Sequence, residues 1–372
     1  MVEGSKTRIC FILTHLPQGG AERQTINLIR GLNPSYYDIT LLLYAGDSLF
    51  YREVLDLPVR LITNRSSSGN KIHRNIENAL FLRRALRKHN FDILHTLLAH
   101  NGFWVRLLAP AKYRNRIIYS IRNDIYDNPR IFLLFEKLLI RNTFVVTNSQ
   151  KVLRQFREYI GPNHQGRTRL IYNGFETLRF KNDRPSIVSD ELILGTVGRQ
   201  SSQKNQIQII EAVAELRPEY PVHLFVIGDK AQDMGKANED YVRVHRLEDH
   251  ITILDSQPGI EAYYKRFNIF VLSSVYESCP NVLFEAMLAK CLCIVSSRAN
   301  TDLFIRDGEN GLVYDGSLNM LKEKIIQAIS LVRNGQHLKL VEKASQYADE
   351  NFSMERMIGS YEEIYNQIMA RC

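Results

Sequence analysis

Glu277-Ser278-Cys279-Pro280-Asn281-Val282-Leu283-Phe284-Glu285 sets two carboxylates eight residues apart. A proline and an asparagine separate the first from an apolar run, 282–288, that reads as the start of a helix. Glu277 is therefore expected in a loop at a strand end, and Glu285 about one turn inside the helix. The first N–H groups of a helix lack intrahelical partners, and the helix dipole favours negative charge there. Two acceptor-only carboxylates flanking such an anion cradle suit a ligand with hydroxyls at both ends and phosphate between them. Taken alone, the spacing also describes two solvated glutamates.

The flanking residues give the motif a place. Phe267-Asn268-Ile269-Phe270-Val271-Leu272-Ser273-Ser274 reads as a strand before it, and Cys291-Leu292-Cys293-Ile294-Val295-Ser296 as a strand after it. The result is a βαβ unit with the carboxylates at the carboxyl end of its first strand. Ligands of open α/β sheets bind at that end. The segment resembles the donor-binding stretch of retaining GT-B glycosyltransferases, specifically glycosyltransferase family 4. Members of that family carry Glu, seven residues, then Glu, often with Pro-Asn-Val-Leu inside and Glu-Ala-Met at the end.

A chain of 372 residues exceeds one ordinary core, so two domains are expected. The hydrophobic fraction of 45% is that of a globular protein. No uncharged apolar run reaches the roughly 18 residues of a spanning helix, and residues 1–8 lack the apolar middle of a signal peptide. The five cysteines are Cys10, Cys279, Cys291, Cys293 and Cys372. Their odd number and the lack of a Cys-x-x-Cys pair argue against a disulfide framework or a zinc site and for the cytoplasm. Net charge is +8, unevenly spread: residues 1–185 hold 29 Lys/Arg against 14 Asp/Glu, and the remainder is acidic. That asymmetry suggests an anionic partner for the first half.

Strand-like runs at 8–13, 38–43, 59–62, 92–95, 116–121, 143–147 and 169–172 alternate with helical patterns such as 76–88. A second series follows at 192–198, 222–228, 251–254, 269–272 and 291–295. Alternation of this kind predicts parallel sheets. Asn173-Gly174 is a turn signal, and the polar 181–191 reads as the linker. The expected domains are thus 1–182, joined by a C-terminal helix within 354–372, and 183–353.

Two further motifs carry chemistry. Gly19-Gly20-Ala21-Glu22-Arg23 lies between the first strand and a helix, where glycines let backbone approach a phosphate. Gly195-Thr196-Val197-Gly198-Arg199 with Gln203-Lys204-Asn205 ends the first strand of the second series, and an Arg and a Lys five apart can clamp two phosphates. Each also has a plainer reading, as a tight turn and as two surface cations.

With the Asp307-Gly308-Glu309-Asn310-Gly311 loop, five motifs of the family come in order along nearly the whole chain. The resemblance implies an α/β GT-B fold of two Rossmann-like doubly wound domains with an interdomain cleft. It implies a retaining, metal-independent transfer from a nucleoside diphosphate sugar, a UDP-sugar before a GDP-sugar, as co-substrate and with no cofactor. Gly19 and Gly20 would approach the donor diphosphate, Arg199 and Lys204 would stabilise the departing diphosphate, Glu277 would meet sugar hydroxyls and Glu285 the ribose. Asn281 and Val282 would complete the donor site. Asp92-Ile93-Leu94-His95 with His100, and Ser120-Ile121-Arg122-Asn123-Asp124, resemble acceptor-side or sugar-side segments. Where many members have a histidine after that strand, Arg122 or Asn123 stands here. Another departure is Leu303, with Asp302 beside it, in the place of a customary glutamate.

The acceptor is expected to be a glycan or a lipid-linked glycan, met at the anionic inner face of the cell membrane. Basic residues beside apolar ones motivate this, among them Lys71, Arg74, Arg83, Arg84, Arg87 and Lys88. No nucleic-acid module is visible. Two other classes stay open at this point: a different nucleotide-sugar enzyme such as an epimerase, and a non-catalytic anion-binding protein.

Overall fold

The protein is described from a computed structural model, which covers residues 6–16, 20–45, 54–64, 70–122, 124–125, 130–182 and 191–371. The chain divides into two compact units, Met1–Gly174 with Met354–Cys372, and Phe175–Ser353.

The first unit is built on seven parallel strands, β1 (Thr7–Leu13), β2 (Tyr37–Leu43), β3 (Val59–Thr63), β4 (Ile93–Leu97), β5 (Ile117–Ile121), β6 (Thr143–Thr147) and β7 (Thr168–Leu170). Their spatial order is β3-β2-β1-β4-β5-β6-β7. Strands β1, β4, β5 and β6 are near-continuous Ile, Leu, Val and Phe runs because helices cover both faces of the sheet. On one face Ile9, Phe11 and Ile93 pack with helix Gly20–Gly31 and with the C-terminal helix Met354–Met369, through Met357, Tyr361 and Tyr365. On the other face Cys10, Ile12, Leu94 and Ile117 meet helices Lys71–Lys88 and Ala99–Leu108. Each fully buried aliphatic side chain contributes about 1.5–3 kcal/mol. Gly31 is fixed by close approach: a Cβ there would lie 2.0 Å from Ile358 Cδ1 of the C-terminal helix.

The second unit repeats the pattern with β8 (Leu192–Val197), β9 (Val222–Ile227), β10 (Ile251–Leu254), β11 (Ile269–Leu272), β12 (Leu292–Ser296) and β13 (Leu312–Tyr314). The order is β10-β9-β8-β11-β12-β13, all parallel. In each sheet the order reverses once, between β1 and β4 and between β8 and β11. Such a reversal opens a crevice at the carboxyl ends of the two strands.

The division falls at Gly174/Phe175 rather than at 182/183. Polarity marks 181–191 as a linker, but the short helix Thr177–Phe180 belongs to the second unit by its contacts. Phe180 packs edge-on against Tyr264, Arg179 pairs with Glu261 at 3.0 Å and Lys181 with Asp349 at 2.8 Å. The Asp-Gly-x-x-Gly loop has a structural office. Asp307 accepts from Val313 N and from Lys324 Nζ, and Gly308 takes φ +73°, which turns the chain into β13.

Candidate active site

At the reversal point of the second sheet, the loop after β8 meets the loop after β11. Lys204 Nζ donates to Glu277 Oε1 over 2.5 Å, and Ser274 Oγ donates to the same oxygen over 2.7 Å. Both ionic side chains are mostly covered, with 14% and 9% of their surfaces exposed. A charge-assisted contact of this length in a sheltered place fixes both partners. The backbone around it is fastened from several sides. Ser273 Oγ donates to the carbonyls of Lys204 and Asn205, Val275 N donates to Gln203 O, and Ser296 Oγ donates to Ser274 O. The loop after β8 is thereby tied to β11, and β11 to β12.

The turn that carries Arg199 is shaped by its glycines. Gly198 and Gly228, at the ends of the neighbouring strands β8 and β9, both take φ +150°. A Cβ on Gly228 would lie 2.0 Å from Gly198 O, so these two loops touch backbone to backbone. Gln206, the first residue of helix Gln206–Leu216, donates through Nε2 to the carbonyls of Gly198 and Arg199 at 3.1 Å each. Arg199 itself is exposed to solvent. The site therefore has one cation locked onto a carboxylate, while Arg199 has no carboxylate partner among the described residues.

Glu277 lies in the loop, and helix Asn281–Leu288 begins right after Pro280, which offers no side-chain cap. Asn281 and Val282 open this helix and are half-buried. Glu285 sits a turn further on in the same helix, half-buried. Burial first, and then the Glu285 carboxylate, push the buried Tyr264 phenol well above its ordinary range. Glu285 also acts on Arg179, whose guanidinium is held by Glu261. Lys204, Ser274 and Glu277 are thus brought together.

In the first unit Gly19 and Asn123 lie outside the described residues, while Gly20 heads helix Gly20–Gly31. His95 is 1% exposed, with Nδ1 3.2 Å from Tyr365 Oη and Nε2 3.0 Å from Ser120 Oγ. Burial, aided by the Arg122 charge, pushes its pKa down to about 3, so the ring is neutral. With both nitrogens engaged, His95 braces β4 against the C-terminal helix. His100 is exposed, and its tautomer follows from its partners. Trp104 Nε1 can only donate, so His100 Nε2 accepts at 3.2 Å and Nδ1 carries the proton facing Tyr44 Oη. Tyr44 in turn donates to Asn101 Oδ1 at 2.7 Å.

Arg122 is 8% exposed. It donates to Asn173 Oδ1 at 2.6 Å and to Tyr361 Oη at 2.9 Å, and among the described residues its buried Nε finds no partner. Leu98, at the end of β4, holds φ +68°, a conformation costly for a branched side chain, at the first sheet's own reversal point.

Sequence reasoning passed over Ser273, Ser274 and Gln206. The first two were visible as hydroxyls closing an apolar strand directly before Glu277. Gln206 gave no signal, since its partners are backbone carbonyls.

Residues 18–179 match the family model described as Glycosyltransferase Family 4, and residues 178–350 the one described as Glycosyl transferases group 1. A curated relative is the UDP-Gal:alpha-D-GlcNAc-diphosphoundecaprenol alpha-1,3-galactosyltransferase of Escherichia coli, 22% identical over 97% of this chain and 97% of the relative. Another is the GalNAc-alpha-(1->4)-GalNAc-alpha-(1->3)-diNAcBac-PP-undecaprenol alpha-1,4-N-acetyl-D-galactosaminyltransferase of Campylobacter jejuni, 24% identical over 91% of this chain and 93% of the relative. Among solved structures, Anabaena Alr3699/HepE in complex with UDP and glucose superposes with a TM-score of 0.79 at 17% identity, covering 97% of this chain and 100% of that one.

Proposed function

Because this chain belongs to the GT-B glycosyltransferases of bacterial glycan and glycolipid synthesis, we propose that it moves a sugar from a nucleoside diphosphate sugar to a hydroxyl of a lipid-linked glycan, with retention of configuration and without a metal. The observation that carries this reading is the Lys204–Glu277 contact at the carboxyl ends of β8 and β11. A ligand-binding crevice is expected there from topology alone, and it holds the two kinds of group the reaction needs.

In the proposed reaction the bond between the anomeric carbon and the diphosphate oxygen breaks, and the diphosphate leaves with the electron pair. The acceptor oxygen bonds to the same carbon on the face the leaving group has vacated. Its proton passes to a departing phosphate oxygen. The barrier falls chiefly through stabilisation of negative charge on the leaving group. Arg199 and Lys204 supply positive charge, and the positive end of the dipole of helix Asn281–Leu288 adds to it. Glu277, positioned by Lys204 and Ser274, would accept hydrogen bonds from sugar hydroxyls.

A UDP-sugar is the first donor to try. The solved neighbour with UDP and glucose and the UDP-Gal named for the Escherichia coli relative both support it. Both curated relatives are named for undecaprenol diphosphate acceptors, which supports a lipid-linked acceptor. A thermal-shift panel of UDP-, GDP-, ADP- and TDP-sugars tests donor binding, since a ligand of the folded state alone raises the melting temperature. One nucleotide series stabilising the protein, and less so the Lys204→Ala variant, is the expected result. No shift with any of them would remove the reading.

A further inference from the structure

A guanidinium always carries its charge and offers five N–H groups, so burying one is costly unless a carboxylate and further acceptors meet it. Among the described residues two arginines are buried, Arg106 and Arg122, equally so. Arg106 is compensated on every side. Its Nη1 and Nη2 donate to the two oxygens of Glu136 at 2.8 and 2.6 Å, and its Nε donates to Gly102 O at 2.8 Å. Its guanidinium also lies 4.3 Å from the centre of the Tyr119 ring.

Arg122 is treated otherwise. Its Nη1 donates to Asn173 Oδ1 and its Nη2 to Tyr361 Oη, both neutral groups. Its Nε is buried and finds no partner among the described residues. Asp124, two positions on, is taken by Lys151 Nζ and Gln155 Nε2, at 3.0 Å each. The Arg122 charge therefore meets no carboxylate among the described residues. A neutral donor would hold Asn173 and Tyr361 equally well, so bracing alone does not call for a cation here.

The neighbours of Arg122 repeat the pattern. Ile121 pairs with Thr147, and Thr147 with Leu170, so Arg122, Asn148 and Asn173 follow the carboxyl ends of the adjacent parallel strands β5, β6 and β7. Ligands of open α/β sheets bind at that end. All three side chains are buried. Gln24, from helix Gly20–Gly31, is tied to the same place, since its Oε1 accepts from Gly174 N at 3.0 Å. Among the described residues Gln24 Nε2 and Asn148 Oδ1 are also buried without partners. Two orphaned donors and one orphaned acceptor in one polar group ask for an occupant, because buried polar atoms are nearly always satisfied. An oxyanion with a hydroxyl beside it supplies what they lack. The Nε–H and a neighbouring Nη–H of a guanidinium form a fork that fits a carboxylate or a phosphate.

We propose that Arg122, framed by Asn173, Tyr361 and Gln24, is a receptor for an oxyanion carried by the acceptor. The inference rests on the proposed transfer reaction and deepens it. In that reaction Arg199 and Lys204 of the second unit serve the donor diphosphate, which leaves the buried cation of the first unit for a negative group on the other substrate. Two acceptor groups share the required chemistry: the diphosphate of a lipid-linked sugar, and the carboxylate of an acidic sugar.

The test is calorimetric titration of the intact chain, without nucleotide, using two pairs of soluble acceptor analogues. One pair is N-acetylglucosamine on a short prenyl diphosphate against the same sugar on a neutral short-chain ether. The other is an alkyl glucuronide against the alkyl glucoside. In one pair the anionic member should bind roughly 10- to 100-fold more tightly, as expected for charge-assisted hydrogen bonds, and the pair that responds names the source. Arg122→Gln should erase the preference and Arg122→Lys should keep part of it. Asn173→Asp places a carboxylate against the guanidinium from within. It should also erase the preference while the melting temperature holds or rises, a result that a merely bracing arginine does not produce. No preference in either pair, or a preference that survives both Arg122→Gln and Asn173→Asp, would overturn the proposal. UDP binding, measured separately, should be the same in wild type and Arg122→Gln. Its absence from wild type would count against the transfer reading, whereas UDP binding without any anionic preference would overturn the receptor alone.

Discussion

Lys204 and Glu277, 73 positions apart in sequence, are joined by a 2.5 Å hydrogen bond where the second sheet reverses its strand order. Neither strand alone carries the pair: Lys204 follows β8 and Glu277 follows β11. The parallel β8–β11 pairing, Ile269 opposite Leu194 and Phe270 opposite Gly195, brings the two loops together. The contact follows from the fold, and the proposed chemistry follows from the contact.

Lys204→Ala should lower turnover by about 10²-fold or more, because a cation acting on developing leaving-group charge contributes mainly to the transition state. Glu277→Gln should raise the donor KM as well, through altered hydrogen bonds to sugar hydroxyls. Steady-state kinetics of the two variants separate these effects. Wild-type kinetics in either would remove that residue from the site.

Arg199→Ala is expected to behave differently from Lys204→Ala in stability. Arg199 is exposed, so its loss should leave the melting temperature within about 2 °C of wild type while turnover falls by a similar factor. A marked drop in melting temperature would show that Arg199 holds the loop together.

Gly228→Ala places a methyl group against Gly198 O at a backbone angle that alanine avoids. A loss of roughly 2–4 kcal/mol is expected in urea unfolding, by overpacking and backbone strain together. Full stability would mean that the two loops can part without cost.

Burial, with the Arg122 charge, lowers the His95 pKa from its ordinary 6.5 to about 3 in the folded protein. Between those values the unfolded chain binds one more proton than the folded one. Stability is then fully present above about pH 6.5 and is lost as pH falls toward 3, approaching about 1.4 kcal/mol per pH unit. His95→Asn should flatten that part of the pH–stability curve. An unchanged slope would contradict the neutral, buried ring.

Much of the fold was legible because the strands are buried on both faces. Ile269–Leu272 appears as an uninterrupted apolar run, and its ends coincide with the observed strand. The carboxylates at 277 and 285 were legible as a loop and a helix position. What stayed hidden depends on distant partners. Tyr365 lies 270 residues from His95, and Tyr361 lies 239 from Arg122, so a histidine and an arginine at strand ends look alike as ligand contacts and as braces. The polar 181–191 segment suggested a boundary because polarity reports exposure, whereas the contacts of Phe180 set it earlier.

Activity should survive removal of divalent metal ions. In the proposed reaction Arg199 and Lys204 would take the role that a metal otherwise fills on a leaving diphosphate. Full turnover in excess chelator is expected; loss in chelator with rescue by magnesium or manganese would contradict this part of the mechanism.

The most direct test is sugar transfer itself, followed by mass spectrometry and proton NMR of the product formed from a UDP-sugar and an undecaprenol-diphosphate-linked sugar. The expected result is an acceptor heavier by one sugar, with the anomeric configuration of the donor, formed about 10²-fold more slowly by Lys204→Ala. An unmodified acceptor with every donor that stabilises the protein, or a product of inverted configuration, would contradict the account.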